Sequence, residues 1–315
     1  MKQVEDTAMS REHPKIFWRT LLCSAALAGT TLAARADTPI HLRHDAAPDA
    51  TVVIRNVKGD VRVTGWNQDR VQVEGNLGSG AKPLQITGDA RAIEIKVEGA
   101  GGSGWFGNSD NMGPTSLEVR VPHAASLEVH TVSAPVDVDG MDGRSIQVGS
   151  VSGRVHLGVR AGSVRADTVS GDIDLAGTAH EFEAQTVSGD VQAATLGGNA
   201  NAQTVSGAVL LRGGAMGKVN LGTVSGRIQL QAAVATDAAW KIDSMSGDVR
   251  LSLPTDASAR IKADTFSGDL HSDFGKATGS DHGPGEHLDT RAGQGSGTIT
   301  VNSFSGDVHI QGGMH

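Results

Sequence analysis

The chain is predicted to be all-β: a single-domain parallel β-solenoid of two-strand coils, about 18–21 residues each and right-handed. Glycine is the first reason, at 42 of 315 residues, about 13% where ~7% is usual. These glycines fall between short Val/Ile/Leu segments, without the triplet period of collagen. The second reason is a repeat. The motif Thr-Val-Ser-Gly-Asp-Val, with close variants, places its serine at Ser152, Ser170, Ser188, Ser206, Ser225, Ser246, Ser267 and Ser305. A degenerate copy stands at Ser133, where Ala134 replaces the glycine, and successive spacings are 19, 18, 18, 18, 19, 21, 21 and 38. The third reason is alternation around each serine.

Three residues after the serine the copies carry Val155, Ile173, Val191, Val209, Ile228, Val249, Leu270 and Val308, and two further on mostly Leu. Just before it stand Val151, Val169, Val187, Val205, Val224, Met245, Phe266 and Phe304. Counted as one strand, positions −1, +1, +3 and +5 share a face. The expectation is therefore that residues on both sides of the motif glycine point inward, while Ser and Asp face outward. A second alternation follows about nine residues later, as in Val164/Ala166 and Phe182/Ala184. One such unit cannot bury its apolar face alone, whereas stacked units can.

Three segments follow. Residues 1–36 read as a secretory signal peptide: Lys15 and Arg19, the apolar run Leu21 to Ala34, then Ala34-Arg35-Ala36 before Asp37. The run is shorter than the ~20 residues of a spanning helix, and no later segment is apolar enough for a transmembrane helix in the mature chain. Residues 37–126 read as irregular capping rungs, needed because an open strand edge invites end-to-end pairing. Residues 127–315 carry the regular repeats, with a Gly-rich insertion at 275–297. Cys23 is the single cysteine, which excludes an intrachain disulfide. The balance of 27 basic to 35 acidic residues, net −8 with no basic run, argues against a nucleic-acid partner.

The segment Ile54-Arg-Asn-Val-Lys-Gly-Asp-Val-Arg-Val-Thr-Gly-Trp66, the segment Leu117-Glu-Val-Arg-Val-Pro122 and the Ser-Gly-Asp-Val ladder together resemble the bacterial putative-adhesin family, over roughly residues 50–310. That resemblance implies a β-solenoid, a domain of unknown function and an adhesin-like or envelope role. It brings no catalytic residues.

Several constellations could carry chemistry. Asp172, Asp190, Asp248, Asp269 and Asp307 stand two residues after their serines. In a coil stacked in chain order Asp172 would lie ~5 Å from Asp190, and Asp248 as close to Asp269. Such pairs could hold Ca²⁺, although Arg154 and Arg227 could screen them and Asp suits a turn in its own right. Paired carboxylates also serve glycosidases, but repetition supplies that spacing many times over, and the chain has no Tyr and only four Trp. A nucleophilic serine is a singular residue beside a base; a serine recurring in every unit is a structural ladder. The Gly-rich stretch around Trp105 and Phe106 is a candidate contact loop. His282 and His287, with acidic neighbours, are a candidate zinc or nickel pair.

The sequence thus points to an exported, non-enzymatic protein, periplasmic or at the cell surface, that needs no cofactor and binds an envelope protein or a surface glycan. The competing readings are a carbohydrate-active enzyme on a β-helical scaffold and a structural or sensor part of an envelope-stress system. The signal generates a direct prediction: protein recovered from the periplasm or medium should begin at Asp37 by mass spectrometry, and an intact N-terminus in the cytoplasm would refute export.

Overall fold

A computed structural model describes residues 38–100, 112–279 and 284–313, all within one compact unit, residues 36–315. Every regular element among the described residues is a β-strand, and all belong to one mostly parallel sheet. The regular centre consists of the long strands Ile173–Ser188, Val191–Ser206, Val209–Ser225 and Ile228–Ser246. They pair in parallel so that Ser170, Ser188, Ser206, Ser225 and Ser246 stand in one column. Register shifts fall between the motifs, between Leu175 and Thr178 for example, so rungs of unequal length still meet in step at each serine.

The core runs through the stack as columns of like residues. Ile173, Val191, Val209 and Ile228 form one, and Phe182, Ala200, Val219 and Trp240 another; none is more than 4% exposed. In the second column the smaller Ala200 and Val219 lie between Phe182 and Trp240, and Trp240 is fully inside, its Nε1–H donating to the Met216 carbonyl at 3.2 Å.

The residues before the motif serine do not point inward as their alternation predicts. Val151, Val169, Val187, Val205, Val224, Met245, Phe266 and Phe304 are 44–58% exposed. The reason is that Ser-Gly-Asp turns a corner, and side-chain alternation does not carry through a bend. Before the corner the inward positions are −6, −4 and −2; after it they are +3 and +5. The buried −2 position is always Thr or Ser, from Thr131 and Ser150 to Thr265 and Ser303. A buried hydroxyl needs a partner, and for five of these residues a motif glycine carbonyl supplies it. Ser244, Thr265 and Ser303 donate to the carbonyls of Gly247, Gly268 and Gly306 at 2.8–3.1 Å. Thr186 and Thr204 donate to Gly171 and Gly189 in the adjacent rung at 3.3 Å.

The glycine itself is demanded by the neighbouring rung rather than by the core. A Cβ on Gly171, Gly189, Gly207, Gly226 or Gly247 would sit 1.8–2.1 Å from the carbonyl oxygen of the preceding motif glycine. No side chain fits there, and Gly247 and Gly306 add backbone at φ 153° and 146°, which L-residues rarely adopt.

The rungs are not stacked in chain order at either end. Gly297–Ser305 lies between Ile228–Ser246 and Ala259–Ser267, pairing with both in parallel, and Val308–Gly312 lies between Val249–Leu253 and Leu270–Ser272. The serine column therefore runs Ser246, Ser305, Ser267. Near the other end Thr51–Trp66 sits between Ala92–Lys96 with Thr115–Pro122 and Ser126–Ser133 with Val136–Asp139. Antiparallel strands then cover the outermost edges. Near the N-terminus Arg70–Leu77 covers Thr115–Pro122 and is itself covered by Thr38–Asp45, and Gln85–Gly88 covers Ala92–Lys96; near the C-terminus Glu286–Ala292 covers Ala259–Ser267. Strands of reversed direction at both ends reduce the parallel edge that another copy could extend.

The glycine column generates a stability prediction. Gly189→Ala, whose Cβ would meet Gly171 O at 2.1 Å, should cost roughly 3 kcal/mol or more, above the usual overpacking range. Ser188→Ala, at an exposed position, should cost about 0.5 kcal/mol or less. Denaturant melts of the two variants check this, and equal losses would contradict the stacking described here.

Candidate binding surface

The corner that turns the −1 residues outward also aligns them. In spatial order the column runs Val151, Val169, Val187, Val205, Val224, Met245, Phe304, Phe266, following the serine register. At ~4.8 Å per rung it forms an apolar ridge roughly 35 Å long. Among the described residues these eight are the only exposed large apolar side chains. Scattered exposed apolar residues are ordinary, but a contiguous line of them is a feature of contact surfaces. At its end the rings of Phe266 and Phe304 stack at 4.9 Å, within 5° of parallel.

Beside the ridge, two residues back along each strand, stand Asp167, Gln185, Gln203, Gly222 and Asp243. Together with Val187, Val205 and Val224 they line an open groove of about 530 Å³. One wall is aliphatic; the other offers amides and carboxylates. The floor is the buried threonine column, in which Thr168 and Thr223 Oγ1 have no hydrogen-bond partner among the described residues.

The aspartates at +2 have a structural occupation. Asp172 Oδ1 accepts the Asp190 N–H at 3.0 Å, and Asp190 Oδ1 accepts the Ala208 N–H at 2.7 Å. Asp307 accepts the Asp269 N–H at 3.0 Å, and Asp248 the Asp307 N–H at 3.4 Å. These four carboxylates, of Asp172, Asp190, Asp248 and Asp307, each tie one rung to the next, and Arg154 Nη2 lies 3.8 Å from Asp172 Oδ2. Asp172 and Asp190 are neighbours as the spacing predicts. Asp248 and Asp269 are not: the inserted C-terminal rung places Asp307 between them.

No group of three or more His, Cys, Asp or Glu among the described residues is arranged to hold a metal ion. His287 Nδ1 is hydrogen-bonded to Asp264; His282, Trp105 and Phe106 lie outside the described residues. In the same cap Arg260 grips Asp289 with two hydrogen bonds, at 2.9 and 2.6 Å. That fork holds the Asp289 carboxyl below the usual carboxylate range, and it fastens the antiparallel strand Glu286–Ala292 to the stack. Trp66 donates through Nε1 to the Arg70 carbonyl, with the Arg70 guanidinium 5.5 Å from its ring centre. Trp240 is buried, so it offers no platform to a sugar. None of the motif serines has a hydrogen-bonded base among the described residues.

The ridge is the feature that sequence reasoning missed. Its signal was present in the invariance of Thr or Ser at −2, which marks a position with a fixed hydrogen-bond partner, beside an invariably apolar −1 that the corner then turns outward.

No match was found among curated proteins. Solved structures similar to this chain include a putative adhesin from Parabacteroides distasonis ATCC 8503, 11% identical over 87% of this chain and 98% of that one, with a TM-score of 0.37. Another is a putative adhesin from Bacteroides fragilis NCTC 9343, 11% identical over 87% and 97%, with a TM-score of 0.36. A third is a putative lipid binding protein from Parabacteroides distasonis ATCC 8503, 9% identical over 87% and 97%, with a TM-score of 0.33. The Toastrack DUF4097 family model matches residues 50–311, which takes in every regular rung of the stack to within one residue, and the chain belongs to that family.

Proposed function

We propose that the chain is an exported, non-enzymatic, adhesin-like scaffold that binds an envelope or extracellular component along the apolar ridge. The observation that carries this reading is the confinement of every exposed large apolar side chain among the described residues to one line. A stack could satisfy its own packing with Ser or Thr at those positions. Instead each rung spends an exposed Val, Met or Phe there, at a cost in solubility that only a contact surface offsets. Export is supported by the basic, apolar and small-x-small order of residues 1–36. The non-enzymatic reading is supported by the occupation of the recurring Asp side chains in holding neighbouring backbone N–H groups.

The test is a ridge variant, Val187→Ser with Val205→Ser and Val224→Ser. These residues are exposed, so stability should fall by no more than about 1 kcal/mol per site. Retention of the labelled protein on its own cell-envelope fraction should drop roughly tenfold or more, because a fully covered Val is worth about 1.5 kcal/mol. Retention equal to that of the unaltered protein, with the melt unchanged, would overturn the reading.

A further inference from the structure

Past the Ser-Gly-Asp corner, on the side away from the ridge, the repeat is interrupted. Rung by rung, the inward +5 position there is Leu157, Leu175, Ala193, Leu211 and Leu230, so a single alanine stands in a column of leucines. The next residue on that rung, Ala194, is small and exposed, and register shifts fall beside the pair against both neighbouring rungs. Irregularities of this kind re-aim the side chains around them. At the two alanines lies a dent of about 270 Å³. Leu210 and Leu211 complete its apolar lining, and its polar lining is Asp174, Gln192, Arg212 and Gln229.

The polar groups are ordered along the stack. Asp174, Gln192, Leu210 and Gln229 stand side by side on four successive rungs, and Arg212 lies two residues beyond Leu210 on its strand. Asp174 Oδ2 is 2.8 Å from His156 Nδ1, whereas Arg212 makes no ion pair among the described residues. Charge on this outward face divides in the same sense. The Asp174 rung and the next carry Asp172, Asp174 and Asp190, with Arg154 3.8 Å from Asp172. The following two carry Arg212 and Arg227, among Ala208, Leu210, Gln229 and Gln231. The next acid in that column, Asp248, stands on the far side of Arg227. A ligand with one charge would meet a like charge at one end of the dent, and like charges in contact are costly. A ligand with both charges is complemented at both ends. Its size is limited too, because ligand pockets generally run from ~300 to ~1,000 Å³ and this one is smaller. The strands that carry Asp174 and Arg212 are two rung spacings apart, on the order of 10 Å. One or two residues, each ~3.5 Å when extended, span what the two side chains leave open. We propose that this dent binds a small zwitterion, a free amino acid or a dipeptide with free termini, with its ammonium at Asp174 and its carboxylate at Arg212. The amides of Gln192 and Gln229 supply the hydrogen bonds between. The site is separate from the ridge and does not depend on it.

The experiment follows the amide NMR signals of the mature chain during titration with dialanine, N-acetyl-dialanine and dialanine amide. Dialanine should shift the side-chain amides of Gln192 and Gln229 and the backbone amides of Ala193 and Ala194. N-acetyl-dialanine lacks the ammonium and dialanine amide lacks the carboxylate. Each should bind roughly tenfold more weakly, since each forfeits one charge-assisted contact. Arg212→Gln should cost about tenfold in affinity for dialanine and leave dialanine amide unaffected. Asp174→Asn, which keeps an oxygen for His156, should cost as much for dialanine and leave N-acetyl-dialanine unaffected. Ala194→Leu, at an exposed position, should fill the dent and abolish binding while the denaturant melt stays unchanged. No shift at these amides, equal affinity for the three probes, or unchanged affinity for dialanine in any of the three variants would each overturn the proposal. The Val187/Val205/Val224 variant should bind dialanine as the unaltered protein does, so the fate of the ridge reading leaves this result standing. Loss of dialanine binding in that variant, with its melt unchanged, would place the ligand on the ridge and refute the dent.

Discussion

Everything in this stack depends on how closely two backbones approach at the Ser-Gly-Asp corner. The motif glycine rests against the carbonyl of the glycine in the rung before it, at a separation that no Cβ could share. From that contact follow the in-register serine column, the reach of the Thr186 and Thr204 hydroxyls to glycine carbonyls of the adjacent rung, and the reach of Asp172, Asp190, Asp248 and Asp307 to the next rung's N–H. Dispersion and hydrophobic burial hold the core columns together, but they are tolerant of register. The corner is not. It fixes where each rung begins, and register shifts elsewhere in the rung absorb the differences in length.

The same corner decides what the protein shows to solvent. By changing side-chain parity it sends the residue before the serine outward, and because every corner stands in one column, the outward residues do as well. A ridge of this kind is a by-product of repetition in geometry but not in chemistry. Geometry dictates that something must stand at each −1 position, and the sequence places Val, Met or Phe there instead of a polar residue. The aspartates show the opposite case, where a column that looks functional in the sequence is engaged in holding the stack together.

Much of the architecture was legible before any coordinates. The eighteen-residue spacing, the +3 and +5 aliphatic positions and the motif glycine lead to a parallel stack because each expresses a period that only stacking satisfies. Two things were hidden. One was the facing of Val187 and its equivalents, since alternation is a local rule and the bend between Ser188 and Asp190 interrupts it. The other was rung order. The Ser246, Ser267 and Ser305 corners have nearly identical sequences, so any of them could dock on any other, and nothing local states that Ser305 belongs between the other two. Long-range order of interchangeable repeats is set by the connections between them, here the stretch from residue 273 to 296 that carries the capping strand Glu286–Ala292.

That insertion changes what it means to shorten the chain. In a stack wound in chain order, a truncation peels off the outermost coil and leaves a smaller version of the same molecule. Here, a chain ending before residue 297 lacks an interior rung, and the coil carrying Ser267 loses its parallel neighbour together with its attachment to the rest of the stack. A chain whose synthesis stops in that connection therefore yields a stack that lacks an interior rung, not a shorter one. Such a product exposes two parallel strand edges that the missing rung would have paired. The position of one rung thus makes completion of the chain a condition for closing the stack.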